Sequence, residues 1–148
     1  SVIEQITYDE IQKILGINRK EFAPWWDEFK EEREALTKVR EKWKAKCPEL
    51  AFEVFEKWYL KADKKCFYCD ITQEEINQLW EKYPDLTKRS RGRNLEIERK
   101  EPNKPYSDMD NLVFSCYWCN NAKTDTFTKE EFKKIGEVIK GIWEERLK

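Results

Sequence analysis

Two cysteine pairs of identical spacing, Cys66-Phe-Tyr-Cys69 and Cys116-Tyr-Trp-Cys119, stand in the second half of the chain. Each pair sets two thiolates a short turn apart, and two such knuckles supply the four sulfurs of a closed tetrahedral zinc site. Four thiolates leave no open position on the ion, so this zinc is expected to be structural. Cys47 lies outside both pairs and is read as a bystander. Five cysteines, an odd number, argue for metal in a reducing, cytoplasmic setting over a disulfide framework. The 148 residues contain no histidine, which removes His general bases, Ser-His-Asp triads and His metal ligands together.

The segment between the pairs holds the remaining chemistry. Leu95-Glu-Ile-Glu98 alternates apolar and acidic residues as a half-buried strand does. A loop with Pro102 and Pro105 follows, and Asn111-Leu-Val-Phe-Ser115 reads as a second strand. Asn120-Asn-Ala-Lys123 is expected to begin a short helix. Glu98 ends the first strand and Asn120 opens that helix, so two oxygen ligands would converge in the V between hairpin and helix. Such donors suit a hard cation, Mg²⁺ or Mn²⁺. Lys88-Arg-Ser-Arg91-Gly-Arg93 places four positive charges just before the first strand, in a chain whose net charge is −1. That local density suits phosphate contacts, which Lys123 and the basic residues after Glu98 would extend.

In order, Cys66-x-Tyr-Cys69, Leu95-Glu-Ile-Glu-Arg99, Tyr106 to Asn111, and Cys116-x-x-Cys119-Asn120 resemble the HNH, or ββα-metal, nuclease family over about residues 64–136. The resemblance implies a metal-dependent DNA endonuclease with Glu98 and Asn120 as ligands of the catalytic ion and Asn111 bracing the loop. Arg99 stands where the family places its His general base. A guanidinium is always protonated and cannot take a proton from water. A restriction-enzyme variant of the family is similar in pairing an acid with Arg here and in using a Tyr. Tyr68 and Tyr106 are the candidates, and a nearby Arg99 would lower the phenol's pKa and stabilise the pentacoordinate phosphate. Glu96 is an alternative activator of water. The reading from another class is a catalytically silent zinc module that binds nucleic acid or a protein partner.

These residues need elements to carry them. Residues 1–63 read as a helical scaffold: a Thr7–Glu10 capping box before a short helix stopped by Gly16, one long amphipathic helix from about 25 to 46, and a third helix around Phe52, Phe55, Trp58 and Tyr59. Residues 64–148 read as the zinc-clamped ββα-metal region. In it, Thr72 starts a helix running through Trp80, and Thr128 starts a C-terminal helix marked by Phe132, Ile135, Ile139, Ile142 and Trp143. The apolar face of that last helix is expected to pack on the scaffold or on a second subunit, as in a homodimer. The fold class is therefore α+β and mainly helical. With 40% charged and 39% hydrophobic residues, seven Trp and eight Phe, the composition is that of a folded chain. No apolar run approaches a membrane span, and the N-terminal residues lack a secretion signal.

Overall fold

Short polar side chains fix where the helices begin. The computed structural model describes residues 8–148. Helices run α1 Tyr8–Leu15, α2 Arg19–Glu28, α3 Lys30–Lys46, α4 Phe52–Lys61, α5 Gln73–Lys82, α6 Tyr117–Lys123 and α7 Lys129–Leu147, and the strands are β1 Glu96–Arg99 and β2 Leu112–Ser115. Thr72 and Thr128 each accept the N–H three residues on, and Glu75 and Glu131 return a carboxylate to the cap N–H. Two orphan donors are satisfied at each start. Gly16 closes α1 at φ +67°; Thr7, expected to cap that helix, lies outside the described residues. Among the described residues no helix is long and apolar enough to cross a membrane.

The chain divides into two compact units, the first ending at Glu56 and the second running Lys57–Lys148, so the division falls inside α4. In the first unit the expected long helix from 25 to 46 is two helices. Asn18 caps α2 through a full capping box with Glu21, six residues ahead of Pro24. Pro24 therefore sits within the helix rather than before it. The chain breaks at Phe29, which ends α2 and begins α3 at φ −100° and ψ 20°. Aromatic contacts fix the corner: Phe22 lies 5.0 and 5.4 Å from Trp25 and Trp26, and Trp25 lies 5.3 Å from Phe29. Arg33 covers Trp26 at 3.9 Å and donates to its carbonyl at 2.7 Å. Periodicity alone runs through the corner because both helices carry apolar residues at helical spacing.

In the second unit β1 and β2 pair antiparallel, with Glu96 opposite Ser115, Ile97 opposite Phe114, Glu98 opposite Val113 and Arg99 opposite Leu112. Period-2 alternation sets Glu96 and Glu98 on one side of the ribbon and buries Ile97 on the other. Trp58 and Tyr59 pack on Phe114, each with centroids 5.5 Å away. The α+β class expected from the sequence is what the structure has.

Helix α7 buries Phe132, Gly136 and Trp143, whereas Ile135 and Ile142, expected on the packed face, are 39% and 43% exposed. Gly136 is the reason. A Cβ there would come within 2.2 Å of the Tyr68 carbonyl oxygen, so the helix turns its narrow glycine side to the Cys66–Cys69 loop. Lys140, one turn on, donates to Asp70 at 2.9 Å, and Lys65 lies 3.3 Å from the same carboxylate, which holds Asp70 below its usual range. Gly136→Ala is expected to destabilise by about 1–3 kcal/mol through overpacking, despite the better helix propensity of Ala. Gly141, with nothing within 4 Å of a built Cβ, should gain about 0.5–1 kcal/mol from the same change. Denaturant midpoints that shift in opposite directions for the two variants check this packing.

Candidate metal centre and acid–amide cleft

The knuckles form from local turns. Asp70 takes φ 60° and donates to the Cys66 carbonyl at 2.9 Å, while the Cys66 N–H bonds Ile71 at 2.9 Å, closing the first loop. Cys116 caps α6, its Sγ accepting the Cys119 N–H at 3.4 Å. The Phe67 N–H bonds the Phe114 carbonyl at 2.8 Å and ties the first knuckle to β2. The sulfurs of Cys66, Cys69, Cys116 and Cys119 consequently lie within 4.8 Å of one another, all buried and in no disulfide. Cys69 and Cys116 sulfurs are 3.7 Å apart, near the roughly 3.8 Å separating two sulfurs at 2.3 Å from one tetrahedral ion.

Without a cation the cluster can hold little charge. Hydrogen bonds from Cys116, Cys119 and Cys69 pull the Cys66 thiol far below its usual range, while Cys119 is driven far up by its bonds to Cys116, Cys66 and Cys69. The Cys66 thiolate forms at the expense of Cys116 and Cys119, whose thiols are both raised. A divalent soft ion removes that conflict by binding all four sulfurs as thiolates, so the donor set fits zinc. Cys47 is not among the four, and burial pushes its thiol up to about 11.

Helix α6 starts at Tyr117, so Asn120 lies within its first turn and a half rather than opening it. Asn120 Nδ2 donates to Glu96 Oε2 at 2.8 Å. The acid that meets Asn120 is thus Glu96, not Glu98. The Glu98 carboxylate accepts from the Arg99 N–H at 2.8 Å and projects from the same side of β1 as Glu96.

Arg99 covers the Tyr106 ring at 4.5 Å and donates to the Lys104 carbonyl at 3.1 Å. Tyr68 has other surroundings: it is 2% exposed, its hydroxyl is buried without a hydrogen-bond partner, and its ring lies 5.2 Å from Phe132. Burial, then the nearby Glu98 carboxylate, pushes its phenol up from the usual tyrosine value. The expected Arg-lowered phenol is therefore not found at Tyr68, because the acid-lined, dry side of the knuckle disfavours a phenolate. Asn111, 3% exposed, accepts the Glu101 N–H at 2.9 Å and donates to the Glu101 carbonyl at 3.0 Å, spanning the loop between the strands.

Lys88, Arg89, Arg91 and Arg93 are all exposed. Their loop is anchored from below: Trp80 Nε1 donates to the Gly92 carbonyl at 3.1 Å, Arg93 covers the Trp80 ring at 4.1 Å, and Gln73 bonds both Arg93 O and Leu95 N. Gly92 has φ +86° and a built Cβ 3.0 Å from Tyr117, so the loop lies close against α6. A cleft of about 450 Å³ results, lined by Arg91, Gly92, Glu96, Tyr117, Asn120 and Asn121. Lys123 does not extend this surface, since it is 3% exposed. It stands four residues after Cys119, on the side of α6 that faces inward. Gly92, Tyr117 and Asn121 are the cleft residues that pattern reading passed over, and Glu96 was read only as an alternative activator of water, not as the partner of Asn120. Period-2 alternation was the available signal for Glu96, since it puts Glu96 beside Glu98.

A hairpin leading directly into a short helix, with both held by a knuckle, is the arrangement of the ββα-metal fold. Among solved structures, the rare-cutting HNH restriction endonuclease PacI, described for its perturbation of DNA, is similar to this chain. The TM-score is 0.55 and the identity 24%, covering 75% of this chain and 78% of that one. Neither a family model nor a curated protein sequence matches the chain.

Because each strand has only four residues, the cluster has to supply what the ladder lacks. Cys119→Ser is expected to lose the metal and melt the second unit well below the parent. Elemental analysis of protein prepared without chelator should give about one zinc per chain, the stoichiometry of one four-sulfur site; a content near zero would remove zinc from this site.

Proposed function

We propose that the chain is a metal-dependent DNA endonuclease of the HNH type, hydrolysing phosphodiester bonds. The observation that carries this reading is the shared cleft, where Arg91 of the basic loop lines the same cavity as the Glu96–Asn120 pair. A phosphate held by the guanidinium would lie against oxygen donors. Glu98, on the same side of β1 as Glu96 though outside the cleft lining, and the Oδ1 atom of Asn120 are the hard oxygen donors that would suit Mg²⁺ or Mn²⁺. When bound, such an ion polarises a phosphoryl oxygen and acidifies water.

The chain's own groups divide the remaining work. Lys88, Arg89, Arg91 and Arg93 hold the backbone phosphates. Asn120 Nδ2 fixes Glu96, whose carboxylate takes the proton of the attacking water as the new P–O bond forms and the ester oxygen leaves. Asn111 holds the loop after β1, and Arg99 secures Tyr106 at its far end. Arg99, a fixed cation on the opposite side of β1 from Glu96, does not serve as a base. Between the two tyrosines, the guanidinium contact favours Tyr106, and the closed hydroxyl disfavours Tyr68.

Supercoiled plasmid should be nicked with Mg²⁺ or Mn²⁺ and left intact without a divalent ion of this class. Glu98→Ala is expected to slow cleavage at least about 100-fold while keeping zinc and most DNA affinity, as for a ligand that acts in the transition state. Cleavage by Glu98→Ala at the parent rate would remove Glu98 from the metal site, whereas a parent that leaves the plasmid intact with either ion would return the chain to a silent zinc module.

Tyr106→Phe and Tyr68→Phe separate water from phenol attack. With water as nucleophile both variants should cut at close to the parent rate, measured in single turnover. A covalent protein–DNA adduct in the parent that disappears in one Phe variant would instead assign the attack to that tyrosine.

A further inference from the structure

Helix α3 carries a separation of charge that its own stability does not call for. Its first turn holds Glu31 and Glu32, while its second half holds Lys38, Arg40, Lys42, Lys44 and Lys46 against Glu41 alone. Basic residues in a last turn complement the helix dipole, which accounts for Lys44 and Lys46. The dipole acts within that turn and does not account for Lys38, Arg40 or Lys42. Like charges recur four residues apart at Lys38 and Lys42, at Arg40 and Lys44, and at Lys42 and Lys46, and each such pair opposes the helix.

No ion pair relieves this repulsion at Lys38, Lys42 or Lys44 among the described residues, whereas the first turns of the same helix do form one, Lys30 to Glu34 at 3.9 Å. The helix has no buried residue. Lys38, Lys42 and Lys46 follow one flank at a step of about 6 Å, four residues of helical rise. Residues 38–46 carry a net +4 and residues 88–93 another +4, so the rest of a chain with net charge −1 carries −9. Positive charge is thus concentrated in one short segment of each unit.

We infer that the second half of α3 is a phosphate-contacting surface for duplex DNA, additional to the loop at 88–93. The inference rests on the nuclease reading of the second unit, which makes DNA the polyanion at hand. Regularly repeated phosphates offset several like-charge pairs at once, and release of their counterions supplies affinity without reading bases. An acidic protein face has the same sign of charge but no such dependence on duplex DNA.

The test is binding of a labelled duplex of about 30 base pairs to the zinc-loaded full chain, without added Mg²⁺, across a salt series. The variants are Lys38→Gln, Lys42→Gln, Lys44→Gln and Lys46→Gln combined, the corresponding Lys→Arg set, and Lys88→Gln, Arg89→Gln, Arg91→Gln and Arg93→Gln combined. Gln has nearly the helix propensity of Lys, and Lys42→Gln alone serves if the combined variant fails to fold. The α3 Gln set should lower the log–log salt slope by about two to three units, near one per lost phosphate contact, and weaken affinity at least about tenfold for unrelated sequences alike. Lys42→Gln alone should lower the slope by about one unit, and the Arg set should bind as the parent does. Parent-like slope and affinity in the α3 Gln set, with both lost in the loop set, would overturn the α3 surface and leave the nuclease reading standing. A parent that binds no duplex would overturn both.

Discussion

Four sulfurs meeting at one point is the constraint on which the second unit depends. Cys69 and Cys116 are 47 residues apart in sequence and 3.7 Å apart at their sulfurs. The ribbon they enclose has four residues in each strand, too few to persist on hydrogen bonds alone. Joining the ends of the segment fixes β2 against the first knuckle and starts α6 at Cys116. The start of α6 then decides where Asn120 points. The acid–amide pair is therefore a consequence of the cluster's geometry, reached through one turn of helix.

The basic loop is held by a different device. Left-handed backbone at Arg89, Ser90 and Gly92 would be costly in a free loop. Trp80 and Gln73 of α5 keep it in place by bonding its carbonyls, and Tyr117 closes the other side. A sharply bent segment with exposed guanidinium groups is thus bonded to a helix whose own start is a full capping box. Charge is presented on a support that does not need the ligand to form.

Local signals were legible and tertiary ones were not. The cysteine pairs and the Thr72 and Thr128 boxes each act over three or four residues, and they sit where their spacing put them. The strands were readable from alternation, although they begin one residue later than the pattern suggested. The corner at Phe29 was missed because Pro24 was read as a barrier, while Asn18 already offered a capping box. Lys123 was taken for surface because charge was weighed without its position four residues after Cys119. Tyr68 and Tyr106 were both open as partners of Arg99, and the guanidinium lies over Tyr106. On α7 Phe132 and Trp143 are buried as their spacing suggested, while Ile135 and Ile142 are not, since the close approach of Gly136 to a backbone carbonyl leaves no trace in an apolar pattern.

Cys47 completes the account of the sulfur chemistry. Its side chain is fully buried and its thiol is pushed up to about 11 by loss of solvent, with Glu49 adding to the effect. A thiol so protonated and enclosed is a poor target for peroxide or alkylating agents, which react with accessible thiolate. The other four sulfurs are those of the cluster. They are as enclosed as Cys47 and differ from it in being thiolates once a metal holds them, so a sulfenic acid formed there would injure the architecture that ties the hairpin to its helix before any chemistry.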